Sequence, residues 1–200
     1  TATVDQSHAT LGASLKIRVK EKVAPVISIT KPTTGSYITT ATPAIKFKVT
    51  DADSGVNAGT IALKIDGTAA TGITKTAVTG GCECSYTPST ALSDGAHTIS
   101  VTASDNDGNA SAAKTATFTI DTVPPTLSVT APVDNLVTNK NTVTITGKTD
   151  DITSKPVTVT VNGTAVTVAT DGTFSKDVTL VNGSNTITIV AKDKSGKTTT

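Results

Sequence analysis

Aromatic residues, cysteine and net charge are all scarce in this sequence. Its 200 residues include three Phe, two Tyr, two Cys and no Trp or Met, and its charged side chains leave a net charge of only +1. Nucleic-acid binding needs a basic surface, usually with interleaved aromatic residues, so the composition argues against a nucleic-acid partner. No apolar run approaches the roughly 20 residues that span a bilayer, so the sequence predicts no membrane span.

Residues arranged for catalysis are also missing from the sequence. The two histidines, His8 and His97, have no Cys, Ser or carboxylate partner at a spacing typical of nucleophilic catalysis. The sequence contains no glycine-rich phosphate loop, no histidine-rich metal motif and no nucleophile elbow. We therefore predict a protein that is not an enzyme and has no catalytic residues.

Threonine is abundant, at 44 positions, and this β-branched residue favours strands. Ile45, Phe47 and Val49 alternate with Lys46 and Lys48, and the same period of two recurs along the chain. Strict alternation predicts strands with one buried face and one solvated face. Turn residues separate these strands roughly every 8 to 12 residues, which is typical of an antiparallel sandwich of two sheets.

The sequence also repeats itself with a spacing close to 100 residues. The matching segments are 24–32 with 124–132, 64–69 with 160–165, and 85–109 with 173–197. The second pair reads as a strand, an Asp-Gly or Asn-Gly hairpin turn and a strand. We infer that two diverged forms of one domain fill residues 24–200.

Two segments of the first repeat, LSDGAHTISVTASD at 92–105 and TIDTVPP at 119–125, resemble bacterial immunoglobulin-like (Ig-like) domains. Such domains occur in tandem on surface adhesins, secreted enzymes and phage virions. The resemblance implies an all-β fold: two tandem immunoglobulin-like antiparallel β-sandwiches, with an N-terminal donor-like strand. We expect an arm at 1–23, a first domain at 24–122 and a second domain at 123–200 that lacks its last strand. Because this module serves mainly as a spacer, the resemblance indicates fold more than function.

The two ends of the sequence give the sharpest prediction. In the first repeat, Gly108 is followed by an alternating segment at 113–120 that predicts the last strand of the sandwich. The equivalent Gly196 is followed by only four residues, so the second domain lacks this strand. The arm contains an alternating strand that belongs to neither domain, and its apolar face consists of Ala13, Leu15, Ile17 and Val19.

Two explanations of these ends remain open. The chain is either a stalk or adhesive module cut out of phase from a longer surface adhesin, virion protein or secreted enzyme, or a complete subunit. In the second case its arm fills the vacancy in a neighbour, because strand addition covers the exposed core and pairs the free backbone groups. The contact is then head to tail, and it either closes a ring or builds a fibre, of which we predict the fibre. We expect a structural protein, extracellular or on a cell or virion surface, whose partners are other copies of itself.

Acidic turns predict a calcium site at each domain entry. In such a sandwich, the loop after the second strand and the loop before the last strand lie beside the entry to the first strand. Clustered carboxylates there suit Ca²⁺, which takes six to eight oxygen ligands, although turns favour Asp for conformational reasons as well. The candidate ligands are Asp51, Asp53, Asp105 and Asp107 near the arm, and Asp121, Asp150, Asp151 and Asp193 near the linker.

Cys82 and Cys84 lie two positions apart on one strand, so their side chains share a face about 6 to 7 Å apart. That separation is too long for an unstrained disulfide, which favours buried thiols that fill space in the core. A strained disulfide and a covalent link to a neighbouring subunit remain alternatives.

Carbohydrate binding has little support in the sequence. Sugar platforms use exposed aromatic side chains, and four of the five aromatic residues fall on predicted core positions. Only Tyr37 remains, in the turn at 35–37, so we predict no carbohydrate partner.

Overall fold

The structure is a computed structural model that describes residues 18–200, and every regular element in this range is a β-strand. The first module contains β1 (Val26–Lys31), β2 (Ser36–Ile38), β3 (Ile45–Thr50), β4 (Val56–Ile65), β5 (Thr68–Ala69), β6 (Thr74–Val78), β7 (Gly81–Tyr86), β8 (Gly95–Asp105) and β9 (Lys114–Ile120). The second module contains β10 (Thr126–Ala131), β11 (Thr142–Asp150), β12 (Thr158–Val161), β13 (Thr164–Val166), β14 (Thr173–Thr179), β15 (Ile189–Lys192) and β16 (Thr198–Thr199). No helix in the described range has the length and apolar character needed to cross a membrane.

The first module is a sandwich of two sheets with a single apolar core. One sheet has the order β1-β3-β7-β6 and the other β2-β9-β8-β4-β5. The alternating residues Ile45, Phe47 and Val49 of β3 point inward and are fully buried, which confirms the strand predicted there. Phe118 and Ile120 of β9 close the core from the opposite sheet. The predicted all-β sandwich is therefore present.

One strand pair of the first module departs from the antiparallel prediction. β2 pairs in parallel with β9, with Tyr37 opposite Thr119. The chain leaves β1, crosses from the first sheet to the second and continues in the same direction, so it meets β9 running the same way. Tyr37 thus lies in a strand and is half-buried, whereas the sequence placed it in an exposed turn.

The second module repeats this plan with fewer strands and a smaller core. Its sheets have the orders β10-β11-β14 and β13-β12-β15-β16. Its buried apolar residues are Ile145, Val157, Val159, Val161, Phe174 and Ala191. β16 pairs with β15 over two positions, and residues 18–200 provide no counterpart in this module to the seven-residue strand β9.

Both cysteines lie on the inner face of β7, with Val49 and Phe47 as their cross-strand partners on β3. Both thiols are free and buried, and burial raises the pKa of Cys84 to about 11. These positions match the space-filling thiols expected from the sequence. The possible covalent link through Cys82 or Cys84 stays a prediction, and neither thiol lies at the surface.

The two modules carry an aromatic residue on different strands of a corresponding strand pair. In the first module Phe47 of β3 faces Cys84 of β7, whereas in the second Gly147 of β11 faces Phe174 of β14. A Cβ atom at Gly147 would lie 2.4 Å from Cζ of Phe174 and 2.5 Å from the Ser128 carbonyl oxygen. Gly147 is therefore required by the ring that packs over it.

We predict that Gly147→Ala destabilises the second module by about 2 kcal/mol, since overpacking forces the ring or the backbone to shift. Both tyrosines lie in the first module, so tyrosine fluorescence reports its unfolding, while circular dichroism reports both modules. Urea titrations should show an early transition by circular dichroism and an unchanged fluorescence midpoint. Gly59→Ala is the control, because the nearest atom there is the Asn57 side-chain oxygen at 3.3 Å. Equal effects of both variants would contradict the packing argument.

Candidate metal centres

Three buried carboxylates meet where the two modules join. Asp121 follows β9, Asp151 follows β11 and Asp193 follows β15, so three segments distant in sequence supply them. Each contributes an oxygen, and these oxygens all lie within 4.8 Å of one another. The exposed fractions of the residues are 0%, 5% and 5%. We call Asp121, Asp151 and Asp193 the junction cluster.

Ser154, which is fully buried, ties two members of the junction cluster together. Its hydroxyl group lies within hydrogen-bonding distance of Oδ2 of Asp121 and of Oδ1 of Asp151. Oδ1 of Asp151 also accepts the backbone N–H groups of Thr153 at 2.8 Å and of Ser154 at 2.6 Å. The loop after β11 therefore folds around the Asp151 carboxylate and presents it to Asp121.

Asp193 uses only one of its two oxygens within its own loop. Oδ1 accepts hydrogen bonds from the Ser195 hydroxyl at 2.8 Å and from the N–H groups of Gly196 at 2.7 Å and Lys197 at 2.9 Å. Oδ2 is buried and has no hydrogen-bond donor among residues 18–200. The turn thus fixes the carboxylate of this cluster residue and leaves its Oδ2 atom without a donor in that range.

A second cluster of the same design lies at the entry to the first module. It consists of Glu21, Asp51 and Asp105, whose oxygens also lie within 4.8 Å of one another, and we call it the entry cluster. Ser54 donates to Oε1 of Glu21 at 3.0 Å and lies 3.4 Å from Oδ1 of Asp51, as Ser154 does for its neighbours. The two clusters are therefore related by the sequence repeat.

The entry cluster differs from the junction cluster at one side chain. The Asn109 amide donates to Oδ2 of Asp105 at 2.6 Å and to Oε1 of Glu21 at 3.3 Å. The repeat places Lys197 at the corresponding position of the second module, and there the equivalent Asp193 oxygen has no donor in the described range. Contact with Asp105 raises the pKa of Glu21, as does burial. Asn109 thus partly satisfies the entry cluster from within the protein.

Of the eight predicted calcium ligands, five lie in the two clusters: Asp51, Asp105, Asp121, Asp151 and Asp193. Asp53 is exposed, and Asp150 is exposed and pairs with Lys155 at 2.7 Å. Asp107 is buried but faces Arg18, whose two guanidinium nitrogens lie 2.5 and 2.6 Å from its oxygens. These three point away because neighbouring residues in a tight turn cannot all face the same centre.

Glu21 is the cluster member that the sequence analysis missed. It lies 100 positions before Asp121, so the repeat spacing itself contained the signal. The predicted donor residues Ala13, Leu15 and Ile17 lie outside the described residues. Val19 is in the described part, where its exposed fraction is 85%.

The linker at 121–125 is anchored to both modules. The Asp121 N–H donates to the Ile38 carbonyl oxygen at 2.9 Å, which holds its backbone in the first module, while its carboxylate lies among loops of the second. Asp94 accepts hydrogen bonds from the N–H and hydroxyl groups of Thr122 at 3.0 and 2.9 Å. Lys194 places its Nζ 5.3 Å from the centre of the Tyr37 ring, across the junction. Tyr37 is thereby engaged in an intermodule contact.

His97 makes hydrogen bonds and a stacking contact with other residues of the first module. Its Nδ1 lies 2.7 Å from Oδ2 of Asp66 and its Nε2 lies 2.7 Å from the Ser93 carbonyl oxygen. The ring also stacks on Phe118. Burial disfavours the charged imidazolium, but the hydrogen bonds to Asp66 and Ser93 outweigh it, so the pKa of His97 is raised.

Because the folded-state pKa of His97 is raised, its stabilising effect is complete below the unfolded pKa of about 6.5 and is lost as pH rises through the folded pKa. We predict that raising the pH from about 5.5 to about 8.5 lowers the stability of the first module. Asp66 is half-exposed, so the loss should be about 1 kcal/mol, or roughly 4 °C in Tm. Tyrosine fluorescence measures this Tm.

Asp66→Asn is the matched variant for this experiment, because it keeps an oxygen for the Thr98 N–H and removes the negative charge. Its Tm should depend less on pH over the same range. An unchanged pH dependence in Asp66→Asn would contradict the role given to this ion pair.

Comparison with known proteins agrees with this architecture. Residues 17–122 match the family described as bacterial Ig-like domain, and residues 125–200 match the family described as glucodextranase, domain B. The first match covers more than half of the chain. The chain belongs to the bacterial Ig-like domain family. Ig-like domains of this kind are typically non-catalytic modules.

Individual relatives and solved structures align with most of this chain. The chain is 33% identical over 177 residues to Bacillopeptidase F of Bacillus subtilis, but it spans only 11% of the length of that protein. Among solved structures, the fibronectin(III)-like modules of Clostridium thermocellum CbhA align with a TM-score of 0.51 and 19% identity, over 88% of this chain and 90% of theirs. The Ig1-2 module of the Drosophila receptor protein tyrosine phosphatase DLAR aligns over 88% of this chain and 95% of its own, with a TM-score of 0.36 and 16% identity.

Proposed function

We propose that this Ig-like pair is a rigid, non-catalytic spacer of an extracellular protein, which holds the segments on either side at a fixed distance and orientation. The observation that carries this proposal is Asp121, whose backbone is bonded to the first module and whose carboxylate is buried in the second. A linker held at both ends cannot rotate without breaking one set of contacts. The two modules are then expected to tumble in solution as one rigid body.

The extracellular setting is supported by the relatives. Bacillopeptidase F contains a region similar to this chain that makes up 11% of its length, which fits a module within a larger protein. Thr-rich strands give the sandwich a solvated surface. The first module is also built to follow another segment, because Glu21 stands in its entry cluster where Asp121 stands in the junction cluster.

We predict that both modules of the 200-residue chain share one rotational correlation time in ¹⁵N NMR relaxation measurements in calcium-containing buffer. Asp121→Ala should shorten the correlation time of each module, because it removes the buried anchor of the linker. Asp134→Ala is the control, since Asp134 is exposed and its side chain, among residues 18–200, bonds only to the adjacent Asn135. Independent tumbling of the modules in the unaltered chain would overturn the spacer proposal.

A second candidate function, fibre assembly by strand donation, is favoured by an open cleft in the second module. The cleft has a volume of about 970 Å³, and its apolar lining includes Val129, Val143, Ile145, Leu180, Ile187 and Ile189. Strand β9 covers the equivalent region of the first module and buries Ala116, Phe118 and Ile120 there. Without such a strand in the described range, Ile187 and Ile189 are only partly buried.

We propose the N-terminal arm of a second chain as the occupant of this cleft. Its alternating apolar residues have the period of β9, so one face would enter the core while backbone groups pair with β15. In the described part, Arg18, Lys20 and Glu21 bond to the loop of Asp107, and the 85% exposure of Val19 leaves its side chain available to a neighbour.

Sedimentation of the full chain over a range of concentrations tests this second function. We expect a series of head-to-tail oligomers in the unaltered chain and only monomer in Ile17→Ser. The substitution would place a hydroxyl group, in place of an apolar side chain, in the core of the neighbour's second module. Lys16→Ser is the matched control on the opposite predicted face and should leave the series of oligomers intact. A monomer at every concentration would contradict strand donation and favour the spacer within a longer chain.

A further inference from the structure

We infer that Asp121, Asp151 and Asp193 form a calcium site at the junction between the two modules. Three buried carboxylates lie within one small volume, and none of the ion pairs formed within residues 18–200 includes them. Buried charges without a counter-charge are strongly unfavourable, so this arrangement calls for a cation.

One buried oxygen of Asp193 lacks a hydrogen-bond donor within residues 18–200. Its Oδ1 is occupied by three donors of its own turn, whereas its Oδ2 is buried without a donor in the described range. A buried carboxylate oxygen that lacks a donor loses its hydration and gains nothing in exchange. The turn that immobilises Oδ1 thereby also fixes the position of Oδ2 in this cluster residue. This oxygen is the ligand that the protein itself leaves without a partner.

The distances and the ligand type of the junction cluster both fit Ca²⁺. Oxygens that share one Ca²⁺ at about 2.4 Å lie at most about 4.8 Å apart, and the cluster oxygens all lie within 4.8 Å of one another. The set is made entirely of hard oxygen donors, with no His or Cys among them. Three carboxylates supply part of the six to eight oxygens that Ca²⁺ takes, and water can supply the remainder.

The entry cluster provides an internal comparison. There the Asn109 amide already donates to Oδ2 of Asp105, the oxygen that corresponds to the free oxygen of Asp193. Both modules thus have a cluster of three carboxylates, while the oxygen without a donor among the described residues is found in the junction cluster. The assignment is accordingly made for the junction cluster alone.

A bound Ca²⁺ would connect three chain segments at the junction. Asp121 belongs to the linker, while Asp151 and Asp193 belong to loops of the second module. The ion would therefore join the linker to the loops that also contact Tyr37 through Lys194. Calcium would stabilise the junction directly. It would affect the distant strands of each sandwich only through the junction.

Isothermal titration of the full 200-residue chain with CaCl₂, after chelation and removal of the chelator, tests the inference. We expect Ca²⁺ to bind, and Asp193→Asn to weaken binding at this site by tenfold or more, since it replaces a charged ligand by an amide. Free Ca²⁺ at about a hundred times Kd should raise the Tm of the second module by roughly 10 °C. Amide NMR shifts on adding Ca²⁺ should centre on residues 121, 151 and 193.

Two controls keep the outcome decisive. Asp193→Asn should be at least as stable as the unaltered chain in chelator, because it relieves repulsion between carboxylates, so a loss of binding will not reflect unfolding. Asp105→Asn makes the same change in the entry cluster and should leave the junction site intact. Absence of calcium binding, or binding lost in Asp105→Asn but kept in Asp193→Asn, would overturn the inference. The spacer proposal is tested by tumbling and this one by titration, so each can fail separately.

Discussion

The burial of one linker carboxylate governs the relation between the two modules. The backbone of Asp121 is bonded to the first sandwich directly after its last strand, and its side chain lies among the loops of the second. A buried carboxylate needs hydrogen-bond donors wherever it lies, and in the second module Ser154 supplies a hydroxyl group to Asp121. Asp151 and Asp193 place two further carboxylates beside it. The linker, the loop after β11 and the loop after β15 therefore have to be considered together.

The same constraint is met at the front of the first module with different residues. Glu21 takes the place of Asp121, and Ser54 takes the place of Ser154. The longer glutamate side chain and the Asn109 amide satisfy the pocket in another way, and Arg18 neutralises the adjacent Asp107. Both repeats thus have the acidic pocket, while some of the residues that fill it differ. Each Ig-like module thus has an acidic entrance that receives the segment before it.

The sandwich could be predicted from the sequence because strict alternation, as in Ile45, Phe47 and Val49, has only one structural interpretation when turns lie close on either side. The clusters were predicted in part, because the position of a loop can be inferred from topology. Which of Asp105 and Asp107 faces the centre depends on the conformation of one turn and on Arg18, and these are tertiary facts. The parallel strand at Tyr37 was missed for a similar reason: a chain that changes sheets shows no change in its alternation.

The position of the aromatic ring also affects how tandem modules fold beside each other. Neighbouring domains of similar sequence can exchange strands while folding, and such hybrids are a characteristic failure of tandem arrays. A hybrid of β3 with β14, in the register of the second module, would set the rings of Phe47 and Phe174 against each other. The reciprocal hybrid of β11 with β7 would have a hole where both rings are missing. Divergence at this one pair of positions therefore lets each half of the chain recognise its own strands.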